Sequence, residues 1–181
     1  MKTLVAYYSH GGNNRFIAQK IALDCKGELL EIKPRLNGMF FVILSTLIKI
    51  SFGIRKTRAD LQEYDAVVAC GPIYMGQPAS PVSDFLRKNK GKIRKLFFAT
   101  CCGGGESEKD TKFGYSAVLS KIQLLMNDKY AYGDALPIDL IVPEEMKGNG
   151  ETVMKLKLTD ETFKGKIVEK YERFLGKVKT E

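Results

Sequence analysis

The sequence predicts an α/β domain, a parallel sheet of five strands with helices on both faces. Three observations carry that expectation. Short β-forming runs recur along the chain, and two of them, DAVVACG and KLFFAT, are apolar without a break. Such runs are how strands buried on both faces read. Helical patterns alternate with the strands, and helical crossovers are what parallel neighbours need. The 181 residues are 44% hydrophobic and 28% charged, which suits one globular domain with a substantial core. The whole chain, 1–181, is therefore expected to be a single domain.

Each element has its own warrant. Residues 3–8, TLVAYY, are β-formers and make the first strand. Residues 13–24 read as a helix, with Phe16, Ile17, Ile21 and Cys25 near one face and Arg15, Gln19 and Lys20 on the other. A second strand at 27–33 stops at Pro34. Residues 65–71 are the third strand. Ser80 as cap and Pro81 in the first turn open a helix that turns Val82, Phe85 and Leu86 inward and ends near Gly91. The fourth strand is 95–100, followed by a helix over 111–126 with Val118, Leu119, Ile122, Leu125 and Met126 on its apolar face. The fifth strand is 129–136. A last helix is expected over 160–175, capped by Thr159 and striped by Phe163, Ile167, Val168, Tyr171, Phe174 and Leu175. Residues 143–158 fit a long loop or a short extra hairpin.

Composition narrows the function. Four cysteines without CxxC spacing and a single histidine are a poor zinc set, so no metal is expected and the thiols read as free in a reducing cytoplasm. The apolar run in MKTLVAYYS is short and lacks a small-residue cleavage site, so it reads as a strand of a cytoplasmic protein. The net charge of +8 permits attraction to acidic proteins, anionic lipid or nucleic acid. Lys and Arg are nevertheless scattered and accompany no nucleic-acid motif, so no nucleic-acid partner is expected.

Ligands of open parallel sheets sit at the carboxyl ends of the strands. Three loops there are unusual: SHGGNN at 9–14, PIYMGQ at 72–77 and CCGGGE at 101–106. The first runs straight into a helix amino terminus, whose free N–H groups and dipole attract an anion. Gly11 and Gly12 let backbone approach closely, while Ser9, Asn13 and Asn14 add neutral donors. The loop holds no lysine, which argues against a nucleoside-triphosphate loop. GxGxxG is absent and the second strand ends Ile32-Lys33-Pro34 without an acid for a ribose, which argues against a dinucleotide. In the second loop Tyr74 can stack on a flat ring, and Gly76 permits a turn with positive φ. In the third, Gly103, Gly104 and Gly105 admit close backbone approach. Each loop taken singly is also explained as a plain turn.

These residues carry a resemblance. SHGGNN is similar to the S/T-x-T-G-N-T phosphate loop of the flavodoxin-like family, matching at Ser9, Gly12 and Asn13 and departing at Gly11 and Asn14. GPIYMGQPASPVSDFL (71–86) and FATCCGGG (98–105) resemble the second and third flavin loops of a bacterial and archaeal FMN-binding flavodoxin branch. The resemblance spans most of 1–126. It implies a flavodoxin-like sheet in the order 2-1-3-4-5 and non-covalent FMN. It further implies that Ser9, Gly11, Gly12, Asn13 and Asn14 meet the phosphate, with His10 an exposed member of the same loop. Pro72, Ile73, Tyr74, Met75, Gly76 and Gln77 meet the ring, with Tyr74 the stacking candidate, and Cys101, Cys102, Gly103, Gly104 and Gly105 flank its other edge. The Met75–Gly76 peptide is expected to reorient when the flavin is reduced and to bond flavin N5. No residue is assigned a catalytic role, and Cys101-Cys102 reads as two packed thiols because a disulfide between adjacent residues is strained.

The function implied is an FMN-dependent electron carrier or an NAD(P)H/quinone-type oxidoreductase, acting on a redox partner protein or a small acceptor. The alternative is a flavin-free interaction domain on the same fold. One feature fits neither at once: residues 39–54, MFFVILSTLIKISFGI, within an insertion at about 36–58. They are too short to span a membrane comfortably. A helix packed across the sheet is expected there, with Ser45 and Lys49 as a narrow polar stripe. The alternatives are a lid, a homodimer face or a membrane-surface element helped by the basic flanks.

Overall fold

In a computed structural model that describes residues 1–36, 38–142 and 156–180, five strands form one sheet: β1 (Thr3–Tyr7), β2 (Glu28–Glu31), β3 (Ala66–Cys70), β6 (Leu96–Cys102) and β7 (Tyr130–Pro137). Their order is β2-β1-β3-β6-β7 and every neighbouring pair is parallel. A small antiparallel hairpin, β4 (Ile73–Tyr74) with β5 (Gln77–Pro78), stands beyond the end of β3. With the hairpin set aside, the order is 2-1-3-4-5, that of a flavodoxin-like fold.

Alternation along the strands builds a core on each face. Leu4, Ala6, Val67, Ala69, Leu96 and Phe98 pack with α3 (Ser80–Asn89) and α4 (Tyr115–Met126) through Val82, Phe85, Leu86, Val118, Ile122 and Met126. Val5, Tyr7, Val68, Cys70, Phe97 and Ala99 pack on the other face with α1 (Asn13–Asp24) and α5 (Lys166–Thr180), through Ile17, Ile21, Ile167, Tyr171 and Phe174. The adjacent rings of Phe97 and Phe98 are both fully buried, one in each core. Each such side chain contributes about 1.5–3 kcal/mol by leaving water.

Several boundaries differ from expectation. β6 runs on to Cys102 because Cys101 and Cys102 still pair with Leu136 and Pro137 of β7. The last helix begins at Lys166, not 160. Thr159 and Thr162 bond to each other and to nearby backbone, a local alternative to the helix, and Gly165 has φ +68. Phe163 thus precedes the helix and packs edge-on between Phe16 and Tyr171, with ring centroids 5.4 and 5.3 Å away. Ser80 does not cap its helix, whose cap position is Ala79. The helix over 111–126 begins at Tyr115, and residues 143–155 of the expected loop or hairpin lie outside the described residues.

The insertion holds a helix, α2 (Met39–Ile48), but not one that lies across the sheet with its apolar face inward. It packs beside the hairpin and leans on α3 through its hydroxyls. Ser45 Oγ lies 2.5 Å from Ser80 Oγ, and Thr46 Oγ1 accepts the Ser80 N–H at 2.9 Å. Val42 alone enters the hydrophobic core, while Phe40, Phe41, Leu47 and Ile48 are exposed. The partner surface explains the inversion: the start of α3 presents an uncapped N–H and a serine, and Thr46 and Ser45 satisfy them.

Candidate cofactor cleft

The three loops converge at the carboxyl ends of β1, β3 and β6. The first makes a helix amino terminus of an unusual kind. Gly12 stands at the cap position of α1 with φ +97, a conformation that favours glycine, and no side chain caps the helix. Ser9 Oγ accepts the Gly12 N–H at 3.1 Å. The remaining first-turn N–H groups, of Asn13, Asn14 and Arg15, have no acceptor within the helix. A Cβ built on Gly11 or Gly12 meets nothing within 4 Å, so the space over the turn is open. His10 is exposed.

The two asparagine amides face into the protein. Asn14 is 4% exposed; its Nδ2 donates to the Cys101 carbonyl at 2.9 Å and its Oδ1 accepts the Cys101 N–H at 2.8 Å. Asn13 Nδ2 donates to the Leu156 carbonyl at 3.1 Å, and its Oδ1 accepts the Leu158 N–H at 2.9 Å. The first loop is thereby tied to the third and to the chain entering α5. What Asn13 and Asn14 leave for an anion is their backbone N–H groups.

The second and third loops enclose a cleft of about 270 Å³ lined by Ile73, Met75, Cys102, Gly103, Gly104, Gly105, Glu108, Phe113, Gly114 and Tyr115. One wall is the hairpin. Met75 and Gly76 form its two-residue turn with φ +49 and +68, as a type I′ turn requires. A Cβ on Gly76 would stand 2.5 Å from the Lys112 carbonyl oxygen, so this glycine also admits the 112–113 backbone. Lys121 Nζ donates to the Gly76 carbonyl at 2.6 Å from the far side. Ile73 and Met75 line the cleft, whereas Tyr74 does not. Tyr74 packs against the core beside Tyr8, and burial pushes its phenol up to about 12. Gln77 lines a separate cleft between α2, α3 and α4, and the Pro72 carbonyl accepts the Ala79 N–H at 3.0 Å. Phe113 and Tyr115 supply the aromatic surface, and the sequence reading, which placed them in a helix, missed both.

The opposite wall is glycine and thiol. A Cβ on Gly105 would fall 2.0 Å from the Asp139 carboxylate, so the close approach there needs glycine. Burial, aided by Asp139, pushes the Cys102 thiol up to about 12, and burial raises Cys101 as well. Neither is in a disulfide, and the Cys102 thiol donates to the Gly104 carbonyl at 3.6 Å; thiols raised in this way are protonated near neutrality and poor nucleophiles. Behind the wall, Tyr115 donates to Glu106 at 2.9 Å and Lys170 bonds the same carboxylate. The Lys170 ammonium holds the Glu106 carboxyl below its ordinary range, with the Tyr115 hydrogen bond assisting. Among the described residues no group of acids, cysteines and histidine is arranged to hold a metal.

An uncapped glycine turn beside a cleft lined by glycines and two aromatic residues, at the switch of a 2-1-3-4-5 sheet, is a flavodoxin-type architecture. Residues 46–132 match the family model of the flavodoxin domain. That match spans just under half of the chain, and the fold of the whole is flavodoxin-like. Among solved structures it is similar to a flavoprotein in complex with FMN from Lactobacillus acidophilus, at 23% identity and TM-score 0.60, over 76% of this chain and 93% of that one. Oxidised flavodoxin 1 from Bacillus cereus matches at 12% identity and TM-score 0.53 over 100% and 99%. An NADPH-quinone reductase from P. pentosaceus matches at 12% and 0.51 over 88% and 99%. No curated protein matches the sequence. At these identities the solved structures speak for the fold.

Proposed function

We propose that this protein binds FMN non-covalently across the three loops and passes electrons through it, to a redox partner protein or to a small acceptor such as a quinone. The observation that carries this reading is the open glycine turn at the start of α1 next to the glycine-walled cleft. An anion on the turn and a flat ring in the cleft are what the two together accommodate. The flavin, when bound, supplies the one- or two-electron chemistry.

The chain's own residues bind and orient. Ser9, Gly11, Gly12 and the N–H groups of Asn13 and Asn14 receive the phosphate, with His10 at the rim. Phe113 and Tyr115 offer ring faces, alongside Ile73 and Met75, while Gly103, Gly104 and Gly105 present backbone to the other edge. The Met75–Gly76 peptide has freedom to turn over, because Gly76 tolerates both signs of φ. The next carbonyl, held by Lys121, fixes the hairpin on one side of that peptide.

The test is the visible spectrum of the purified protein, taken again after FMN is added and excess removed. Two flavin bands that stay with the protein are expected. No retained flavin at high FMN overturns the reading. NAD(P)H oxidation by the loaded protein then separates a reductase from a shuttle. One observation favours the second reading, a flavin-free interaction domain: both asparagine amides of the first loop are already spent inside the protein. That reading predicts a colourless protein under the same conditions.

A further inference from the structure

We propose that the outer face of α2 docks this protein onto an anionic lipid bilayer surface. The inference goes beyond the redox reading and does not depend on the cofactor.

The helix is built inside out. Its polar residues, Ser45 and Thr46, are buried against α3, while Phe40 is 70% exposed and Met39, Phe41, Leu47, Ile48 and Ile50 stand between 42 and 53%. Phe40, Leu47 and Ile48 are spaced for one helical face. With Leu36, this one stretch supplies seven of the thirteen exposed large hydrophobic side chains among the described residues. Concentration in one place distinguishes the patch from the scattered apolar exposure that any surface shows.

Charge selects the occupant. Between residues 32 and 59 the chain carries Lys33, Arg35, Lys49, Arg55, Lys56 and Arg58 and no carboxylate, against a net charge of +8 for the whole protein. All six are exposed. Lys33 is paired with Glu31 at 3.6 Å, whereas the other five make no ion pair among the described residues. A second copy meeting this face about a two-fold axis would set like charges against each other. A bilayer with anionic headgroups answers both features, taking the apolar side chains below the headgroups and the cations among them. No helix among the described residues is long and apolar enough to cross a membrane, so the contact is interfacial.

The experiment is co-sedimentation of the full chain with phosphatidylcholine vesicles and with vesicles that also contain phosphatidylglycerol. Binding to the anionic vesicles alone is expected. It should weaken as salt shortens the screening length to about 3 Å at 1 M. The double variant Phe40→Ser/Leu47→Ser should bind about tenfold or more weakly, since two buried apolar side chains are lost. Arg55→Gln/Lys56→Gln should cost about tenfold on anionic vesicles. All four side chains are exposed, so both variants should melt as the parent does, and melting curves check this. Sedimentation with neither vesicle overturns the proposal. So does equal, salt-independent binding to both, or a double variant that binds like the parent. A dimer in light scattering that Phe40→Ser/Leu47→Ser dissociates would assign the face to a second copy and overturn it too.

Discussion

Asn14 is a strut between two loops. Its amide satisfies both backbone groups of Cys101, a residue 87 positions away, in a buried setting. Asn14→Ala leaves that N–H and carbonyl unpaired, so a loss of about 2–4 kcal/mol is expected, read as a lower urea midpoint. The sequence reading saw Asn14 as a donor to phosphate because its place in SHGGNN is local information. That its amide reaches the end of β6 is a fact of tertiary structure that no spacing encodes. Tyr74 is a similar case. Its type suits stacking, but the side chain packs against the core outside the cleft, which residue type alone does not reveal.

Elements were legible where periodicity is strong, and less so at their ends. The residues of α1 match the expected helix at both ends, because an apolar stripe begins directly after a glycine turn. The start of α5 was misread because threonine hydroxyls and Gly165 hold 159–165 in turns that a stripe pattern overlooks. In α2 the expected stripe of Ser45 and Lys49 divides: Ser45 is buried together with Thr46, while Lys49 ends the helix exposed, since a helix start and a serine wait beneath the two hydroxyls. The β4–β5 hairpin concentrates constraint on one residue. Gly76→Ala meets both a positive φ and the Lys112 carbonyl, so a destabilisation of about 1–3 kcal/mol is expected in thermal melts. Flavin titration of the same variant should show weaker retention, because the 112–113 backbone that borders the cleft must shift.

At the scale of the whole molecule, Glu106 joins three elements. It follows β6, accepts from Tyr115 at the start of α4 and pairs with Lys170 of α5, which also lies 3.7 Å from Asp134 of β7. Its folded carboxyl titrates below the unfolded one, so it contributes stability at neutral pH that disappears as pH falls through the depressed value. Glu106→Gln should therefore lower the urea midpoint at pH 7 and narrow its gap from the parent at acid pH. The carboxylate is partly exposed, so the effect is modest. The layered α/β plan was readable from the alternation of strands and helices alone. Cross-links such as this one were not, because they join residues that only the closed sheet brings together.

The two asparagine clamps have a consequence for timing. A seat fastened at its corners by the chain's own amides is finished when folding finishes. The disorder that a loose glycine loop would surrender on meeting a guest has already been surrendered, which lightens the entropic toll of capture. Empty and loaded forms should then differ little in the path of residues 9–14. In the proposed flavin complex, the mobile partner would be the small molecule, arriving at a place already set.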